Sequence, residues 1–431
     1  MDSLVIVGAG PKAVAIAAKA YALGKVGVDV PQIRIVEANS VGSNWLSYGG
    51  WTDGRHLLGT APEKDVGFPY RTRIAGERSG DVDDILLSLG WQRFLIQLDE
   101  YPAWIDRGRP SPSHNLWARY LAWVAAQIDL HIDYGTVVRA EAADAGWQID
   151  VEKSTGTETI VTEGLLFSGP GRSTRALLDD ERVLSVAAFW QAVSSRSLPA
   201  ASRVAVVGGG ETGASVIDEL VRHDLVELSV ISPQPTIFSR GESQFENQLY
   251  TDPAKWALLP EADRREFIRR TDRGVFSIRV QQQLHSDDRV DHVHGRVTAA
   301  RATDAAVELT VAHPTVGNRR LPYDLVIDAT GIRGLWFTDL LTESARNTLE
   351  LAIGGSIGDA RVEEAIGWDL SVAGMTPKLY VPGLSGYRQG PGFANLSCLG
   401  ELSDRILAGV LGSVALESAS AGAGATQRSA S

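Results

Sequence analysis

The sequence predicts an α/β fold with two Rossmann-like dinucleotide-binding domains and a small, mainly helical subdomain set into the second. Three observations carry that prediction. A strand, a glycine-rich turn, a helix and a strand occupy residues 4–37, the same succession returns at 203–232, and a third apolar strand runs into a tight turn at 324–331. Two βαβ units about 200 residues apart imply two parallel sheets, each taking its ligand at the carboxyl ends of its strands.

Leu4-Val5-Ile6-Val7 is a continuous apolar run, the pattern of a strand covered on both faces. The Ala-rich segment 11–23 carries Pro11 in its first turn and ends at Gly24, which are helix start and stop signals. Residues 85–128 read as helical, and 135–170 as a β-meander leading into Leu165-Leu166-Phe167. Val204-Ala205-Val206-Val207 opens the second unit, with a helix to about His223 and a strand at 228–231. Residues 241–288 are polar, hold a helix at 260–271, and do not continue a nucleotide fold. The domain reading is therefore 1–199 with 329–416, then 200–240 with 289–328, with 241–288 as the inserted substrate-binding subdomain. Residues 417–431 are mostly Ala, Ser and Gly and read as a disordered tail.

Composition narrows the function. With 431 residues, 44% apolar and 22% charged, the chain has ordinary globular material for two or three domains. A net charge of −12 argues against nucleic acid or an acidic membrane as the main partner. No apolar run approaches the ~20 residues of a membrane span, and no basic leader precedes Leu4, so a cytoplasmic location is expected. A single cysteine, Cys398, excludes an internal disulfide and the paired thiols of disulfide reductases. It lies in an apolar run and reads as a buried thiol. His292 and His294 share one face of a strand, but no third ligand stands at zinc-like spacing, and no metal is expected.

The glycine turns are phosphate cradles. In Gly8-Ala9-Gly10-Pro11-Lys12-Ala13, Gly8 permits the tight turn, Gly10 lets backbone approach a pyrophosphate, and Ala13 lets helix pack on strand. The helix N-terminus then receives the anion. Glu37 ends the second strand, where a carboxylate accepts ribose hydroxyls. The second turn contains Gly208, Gly210 and Gly213; its strand ends in Ser232 instead of an acid, and Arg240 follows. A hydroxyl with a nearby guanidinium favours NADPH over NADH. FAD is the expected resident of the first site, where the Gly-rich stretch 383–397, with Gly392 and Asn395, would close over the isoalloxazine ring. Two dinucleotides without a thiol relay suggest that NADPH reduces FAD, and that a C4a-hydroperoxide then passes oxygen to a nucleophile.

Further motifs carry a resemblance. Val41-Gly42-Ser43-Asn44-Trp45, Trp51-Thr52-Asp53-Gly54-Arg55-His56, the run 63–70 and Asp328-Ala329-Thr330-Gly331 resemble the N-hydroxylating flavin monooxygenases of siderophore assembly. Among these the chain is most similar to lysine N6-hydroxylases of mycobactin- and nocobactin-type pathways. The resemblance implies L-lysine and O2 as substrates, a dimer or tetramer, and Asn44, Trp45, His56 and Gly331 as cofactor contacts. It implies that Lys64 holds the substrate carboxylate, and that Asn247, Asp272 and Ser397 complete the substrate site. His114 and Gly59 depart from the arginine and glutamine of ornithine-hydroxylating relatives. Alternatives are an L-ornithine N5-hydroxylase, a Baeyer–Villiger or sulfur/amine-oxidising flavin monooxygenase, and a non-enzymatic flavin sensor. The histidine of the Baeyer–Villiger linker motif has no counterpart at 184–190.

Overall fold

The computed structural model describes residues 2–173, 176–330 and 333–412; Gly331 and the expected tail at 417–431 lie outside them. The chain opens with β1 (Asp2–Val7), α1 (Pro11–Lys25) and β2 (Ile33–Glu37), then α2 (Ser79–Leu87), α3 (Trp91–Gln97), α4 (Tyr101–Asp106) and α5 (His114–Gln127). Next come β3 (Ile132–Tyr134), β4 (Thr136–Ala143), β5 (Gly146–Lys153) and β6 (Gly156–Phe167). The second unit holds β7 (Val183–Ser185), α6 (Val186–Ser195), β8 (Arg203–Val207), α7 (Glu211–Leu220) and β9 (Glu227–Ser232). It continues through β10 (Phe238–Ser239), α8 (Gln244–Thr251), α9 (Pro253–Ala257), α10 (Glu261–Thr271), β11 (Val275–Phe276) and α11 (Ile278–Leu284). β12 (Val290–His294), β13 (Arg296–Ala302), β14 (Val307–His313), β15 (Gly317–Tyr323) and β16 (Leu325–Asp328) complete it. The chain then returns through α12 (Glu343–Ile353), α13 (Asp359–Ala365), β17 (Lys378–Tyr380), α14 (Gly386–Gln389), α15 (Pro391–Ala394) and α16 (Leu399–Leu411).

In the first sheet, β3, β2, β1, β6 and β17 run parallel, while the first half of β6 forms an antiparallel meander with β5 and β4. The apolar run of β1 is explained by burial on both faces. Leu4 and Ile6 enter a core with α1, α5 and α16, whereas Val5 enters another with Val137, Trp147 and Ile149 of the meander. The alanines of α1 let α16 lie close against it, with Leu399, Leu402 and Ile406 fully buried.

The second sheet is parallel in the order β12-β9-β8-β16-β7, and the antiparallel β13-β14-β15 is set between β12 and β16. Two boundaries of the domain reading, at 199/200 and 288/289, shift. β7 pairs with β16, and α6 buries Phe189 and Trp190 against Val204 and Val206, so residues from 183 belong with the second sheet, not with 1–199. Three residues of strand are too short to show a pattern. Likewise α11 packs Val280 against Val216 and Ile217 of the second unit, which narrows the inserted subdomain to α8, α9 and α10. β10 and β11, paired in parallel, clasp its base. Among the described residues, no helix is long and apolar enough to cross a membrane.

Candidate active site

The first turn has the geometry its spacing demands. Gly8 sits at φ +95°, and a Cβ there would lie 2.9 Å from Ser168 Oγ; a Cβ on Gly10 would meet nothing within 4 Å. α1 starts at Gly10 without a side-chain cap, so the N–H groups of its first turn are free for an anion. Ala13 is fully buried between helix and sheet. Glu37 Oε2 accepts the Ala9 N–H at 2.8 Å and Oε1 accepts the Asn39 N–H at 2.8 Å, which fixes the carboxylate at the mouth of the turn. Gly8, Gly10 and Glu37 line a cavity of ≈1430 Å³ together with Asn44, Trp45, Thr52 and His114. That exceeds the ~300–1,000 Å³ of ordinary small-molecule sites and suits an extended dinucleotide. The residues present fit FAD. Lys12 also lines this cavity and donates to Ala394 O at 2.9 Å; burial lowers its ammonium to about 8, opposed by Cys398.

The second turn matches the first in register. The Gly8 N–H bonds Val36 O at 2.8 Å and the Gly208 N–H bonds Ile231 O at 2.9 Å, so Ser232 stands where Glu37 stands. Gly208 is at φ +131°, where a Cβ would lie 2.1 Å from Ala329 O, and one on Gly213 would lie 2.3 Å from Gly208 O. Gly210 opens α7 without a side-chain cap, as Gly10 opens α1. Arg240 approaches the start of α7: a Cβ on Gly59 would lie 3.4 Å from Glu211 Oε1 and 3.8 Å from Arg240 Nη1. It follows β10, whose pairing with β11 redirects the chain, and its guanidinium faces the Tyr250 ring at 5.9 Å. There it acts electrostatically on Lys64 and Asp272.

Lys64 and Asn247 meet between the units. Lys64 Nζ donates to Asn247 Oδ1 at 2.8 Å, and Asn247 Nδ2 is held by Glu242 O at 2.9 Å. Burial, with Arg240 nearby, lowers the Lys64 ammonium to about 8, opposed in part by Cys398 and Glu242. Asp272 ends α10; burial raises its carboxyl, while Arg240, Arg273, Tyr250 and Asn395 hold it down in part. Asn395 Oδ1 accepts the N–H of buried Ser397 at 2.8 Å. Asp272, Asn395 and Ser397 thus stand together. Asn395 and Gly392 were expected at the first cofactor, but Leu396 is the residue of that loop among those lining the cavity. Gly392 instead lets α15 close on α8, since a Cβ there would lie 1.8 Å from Tyr250 O.

His56, also expected at the cofactor, is held by the second unit. Its Nδ1–H donates to Asp218 Oδ2 at 3.0 Å, and Arg279 donates to its Nε2 at 3.0 Å. Its ring is 5.3 Å from that of His114, which does line the cavity and whose Nδ1 lies 2.9 Å from Thr52 Oγ1. Burial above all, with His56 and Arg279, lowers His114 to about 3, so it stays neutral. A Cβ on Gly59 would lie 3.4 Å from Glu211 Oε1, which places this exposed glycine against the second unit. Residues missed by sequence reasoning are Lys12, Thr52, Tyr250 and His292. Lys12 stood inside the first glycine motif, Thr52 stood inside the run 51–56, and His292 was weighed only as a metal ligand; Tyr250 carried no local signal.

Asp218 gives a stability prediction. Burial alone would raise its carboxyl, but His56, Arg279 and Arg222 outweigh burial and depress it. A depressed folded pKa means that its stabilisation is present above the unfolded value of roughly 3.9 and is lost as pH falls through the folded value. Asp218→Asn is expected to cost about 1–3 kcal/mol at pH 7, and the difference from wild type should shrink on acidification below pH ~4. Thermal unfolding across pH checks both; an unchanged melting temperature at pH 7 contradicts the assignment.

The profile of the family described as L-lysine 6-monooxygenase/L-ornithine 5-monooxygenase matches residues 93–333. The chain is 48% identical over 414 residues to L-lysine N6-monooxygenase MbtG of Mycobacterium sp. (strain MCS), covering 95% of each. It is 47% identical to the protein of that name from Mycobacterium tuberculosis (strain ATCC 25618 / H37Rv), covering 94% of each. Lysine monooxygenase NbtG from Nocardia farcinica matches in structure with a TM-score of 0.86 and 48% identity, over 95% of this chain and 100% of that one. The ornithine N-hydroxylase KtzI of Kutzneria sp. 744 shares the fold, with a TM-score of 0.73 at 18% identity over 95% of this chain and 99% of that one. Two dinucleotide cradles in register, an inserted helical subdomain and near-half identity along almost the whole length place this chain in the L-lysine 6-monooxygenase/L-ornithine 5-monooxygenase family.

Proposed function

We propose that the protein is a cytoplasmic, homo-oligomeric flavoenzyme, a dimer or tetramer, that uses FAD, NADPH and O2 to hydroxylate the N6 amine of L-lysine for hydroxamate siderophore assembly. The observation that carries this reading is 48% identity, over 95% of both chains, to a protein named L-lysine N6-monooxygenase. Gly8, Gly10, Glu37, Asn44 and Trp45 would hold FAD, and Gly208, Gly210, Gly213 and Ser232 the nicotinamide cofactor. When bound, the pair supplies hydride transfer and oxygen activation.

The chain's own residues bind and orient the amino acid. Lys64 takes the α-carboxylate, Asn247 fixes that ammonium and offers an amide to the substrate, and Asp272 and Ser397 close the pocket. A lysine side chain in water has a pKa of roughly 10.4 and is not nucleophilic when protonated. Transfer into a water-poor pocket favours its neutral form. The carboxylate receptor has the opposite requirement, because Lys64 must keep its proton and is lowered to about 8. Affinity of the enzyme for L-lysine is therefore expected to fall as pH rises through about 8. Calorimetric titration between pH ~6 and ~10 checks this, and a flat profile contradicts the role of Lys64.

The test of function is product analysis after incubation with NADPH and L-lysine, L-ornithine or cadaverine. N6-hydroxylysine is expected to dominate; ornithine, one methylene shorter, is disfavoured by about 1–3 kcal/mol. Preferential hydroxylation of ornithine would favour the sister activity, and hydrogen peroxide alone would refute N-hydroxylation.

A further inference from the structure

Ser232 is buried at the carboxyl end of β9, and a Cβ on Gly209 would lie 2.9 Å from the Ser232 Cβ, so this residue abuts the second glycine turn. The register equates it with Glu37: Glu37 O accepts the Gly135 N–H at 3.0 Å, and Ser232 O accepts the Gly295 N–H at 2.8 Å. In βαβ dinucleotide sites this position faces the adenosine ribose; a carboxylate there accepts the 2′-hydroxyl and repels a 2′-phosphate. Here the hydroxyl of Ser232 lies 3.0 Å from His292 Nε2, on the adjacent strand β12. His294 follows on the same face at 6.4 Å between ring centroids, and His313 of β14 lies 4.8 Å from His294. Three half-buried imidazoles thus gather beside the one strand end where the acid is missing. Asp291 is the carboxylate that acts on His292. Among the described residues no group of three or more His, Cys, Asp or Glu is arranged to hold a metal ion.

We infer that Ser232 and His292 seat the ribose 2′-phosphate of the nicotinamide cofactor, with His294 and His313 behind them, and that this pair sets the choice of NADPH over NADH. The inference rests on the proposed use of a nicotinamide cofactor. The serine hydroxyl and the imidazole N–H donate to phosphate oxygens, and in the free protein they satisfy each other.

Titration calorimetry of the FAD-loaded enzyme with NADP+ and NAD+ tests it by binding alone. Wild type is expected to bind NADP+ more tightly than NAD+. His292→Gln should weaken NADP+ about 10- to 100-fold and leave NAD+ unchanged, His292→Lys should retain NADP+, and Ser232→Glu should reverse the preference. Unchanged NAD+ affinity reports a folded site. Equal loss of both nucleotides in His292→Gln, or no loss of either, overturns the inference while leaving the cofactor reading intact. Wild type that binds neither nucleotide overturns both.

Discussion

Lys64→Ala is expected to lower kcat/KM for L-lysine by about 10²- to 10³-fold, almost all of it in KM, as follows when one member of a desolvated, hydrogen-bonded charge pair is removed. The argument is local. The Lys64 ammonium is half-buried, held by Asn247 at 2.8 Å, and stands between the first unit and α8. Without it the substrate carboxylate enters the pocket with no counter-charge, and Arg240, engaged with Tyr250 and Asp272, does not replace it. NADPH oxidation should continue in the variant with hydrogen peroxide as its product, because nothing in either cradle has changed. Cadaverine has no carboxylate, so wild type and Lys64→Ala should treat it alike. Measuring both substrates separates loss of a carboxylate contact from general damage; equal losses on lysine and cadaverine would reject the assignment.

Gly10→Val should yield a folded, colourless protein. Gly10 has ordinary negative φ, and a Cβ there would meet nothing within 4 Å, so the apoprotein tolerates the side chain. The open space is the approach of backbone to pyrophosphate, and the valine would occupy it. Two charge-assisted N–H bonds lost at about 1.5–3 kcal/mol each correspond to FAD affinity lower by about 10²- to 10⁴-fold. The contrast is Gly8→Val. At φ +95°, with Ser168 Oγ 2.9 Å from an added Cβ, that change strains the turn itself and should damage folding as well as binding. Absorbance at flavin wavelengths, together with thermal unfolding, distinguishes the two variants. A yellow Gly10→Val would mean that the first turn does not hold the cofactor.

The contrast between these two sites shows what the sequence makes legible. Glycine turns are local devices: a positive φ, a close carbonyl and an uncapped helix leave spacing that survives in the chain as a motif, and both turns are where the motif placed them. The contact of Lys64 with Asn247 has no such trace. It joins residues 183 apart in sequence, and only resemblance to a family paired them. Arg240 was read from its nearness to the second turn, Gly392 and Asn395 from a glycine-rich loop late in the chain, and His56 from the family resemblance, yet the surroundings of each are set by packing between distant segments: β10 on β11, α15 on α8, Asn395 beside Asp272, and Asp218 with Arg279. The three-residue β7 failed for a different reason, since its place in the second sheet depends on pairing with β16, more than 140 residues later.

The central claim is most directly tested by a single turnover. Enzyme containing FAD is reduced with one equivalent of NADPH without oxygen, then mixed with aerated buffer containing L-lysine. The account predicts loss of the oxidised flavin spectrum in the first step, and close to one N6-hydroxylysine per NADPH in the second. Flavin that NADPH leaves oxidised, or that returns to its oxidised form with hydrogen peroxide and no hydroxylated amine, would contradict it.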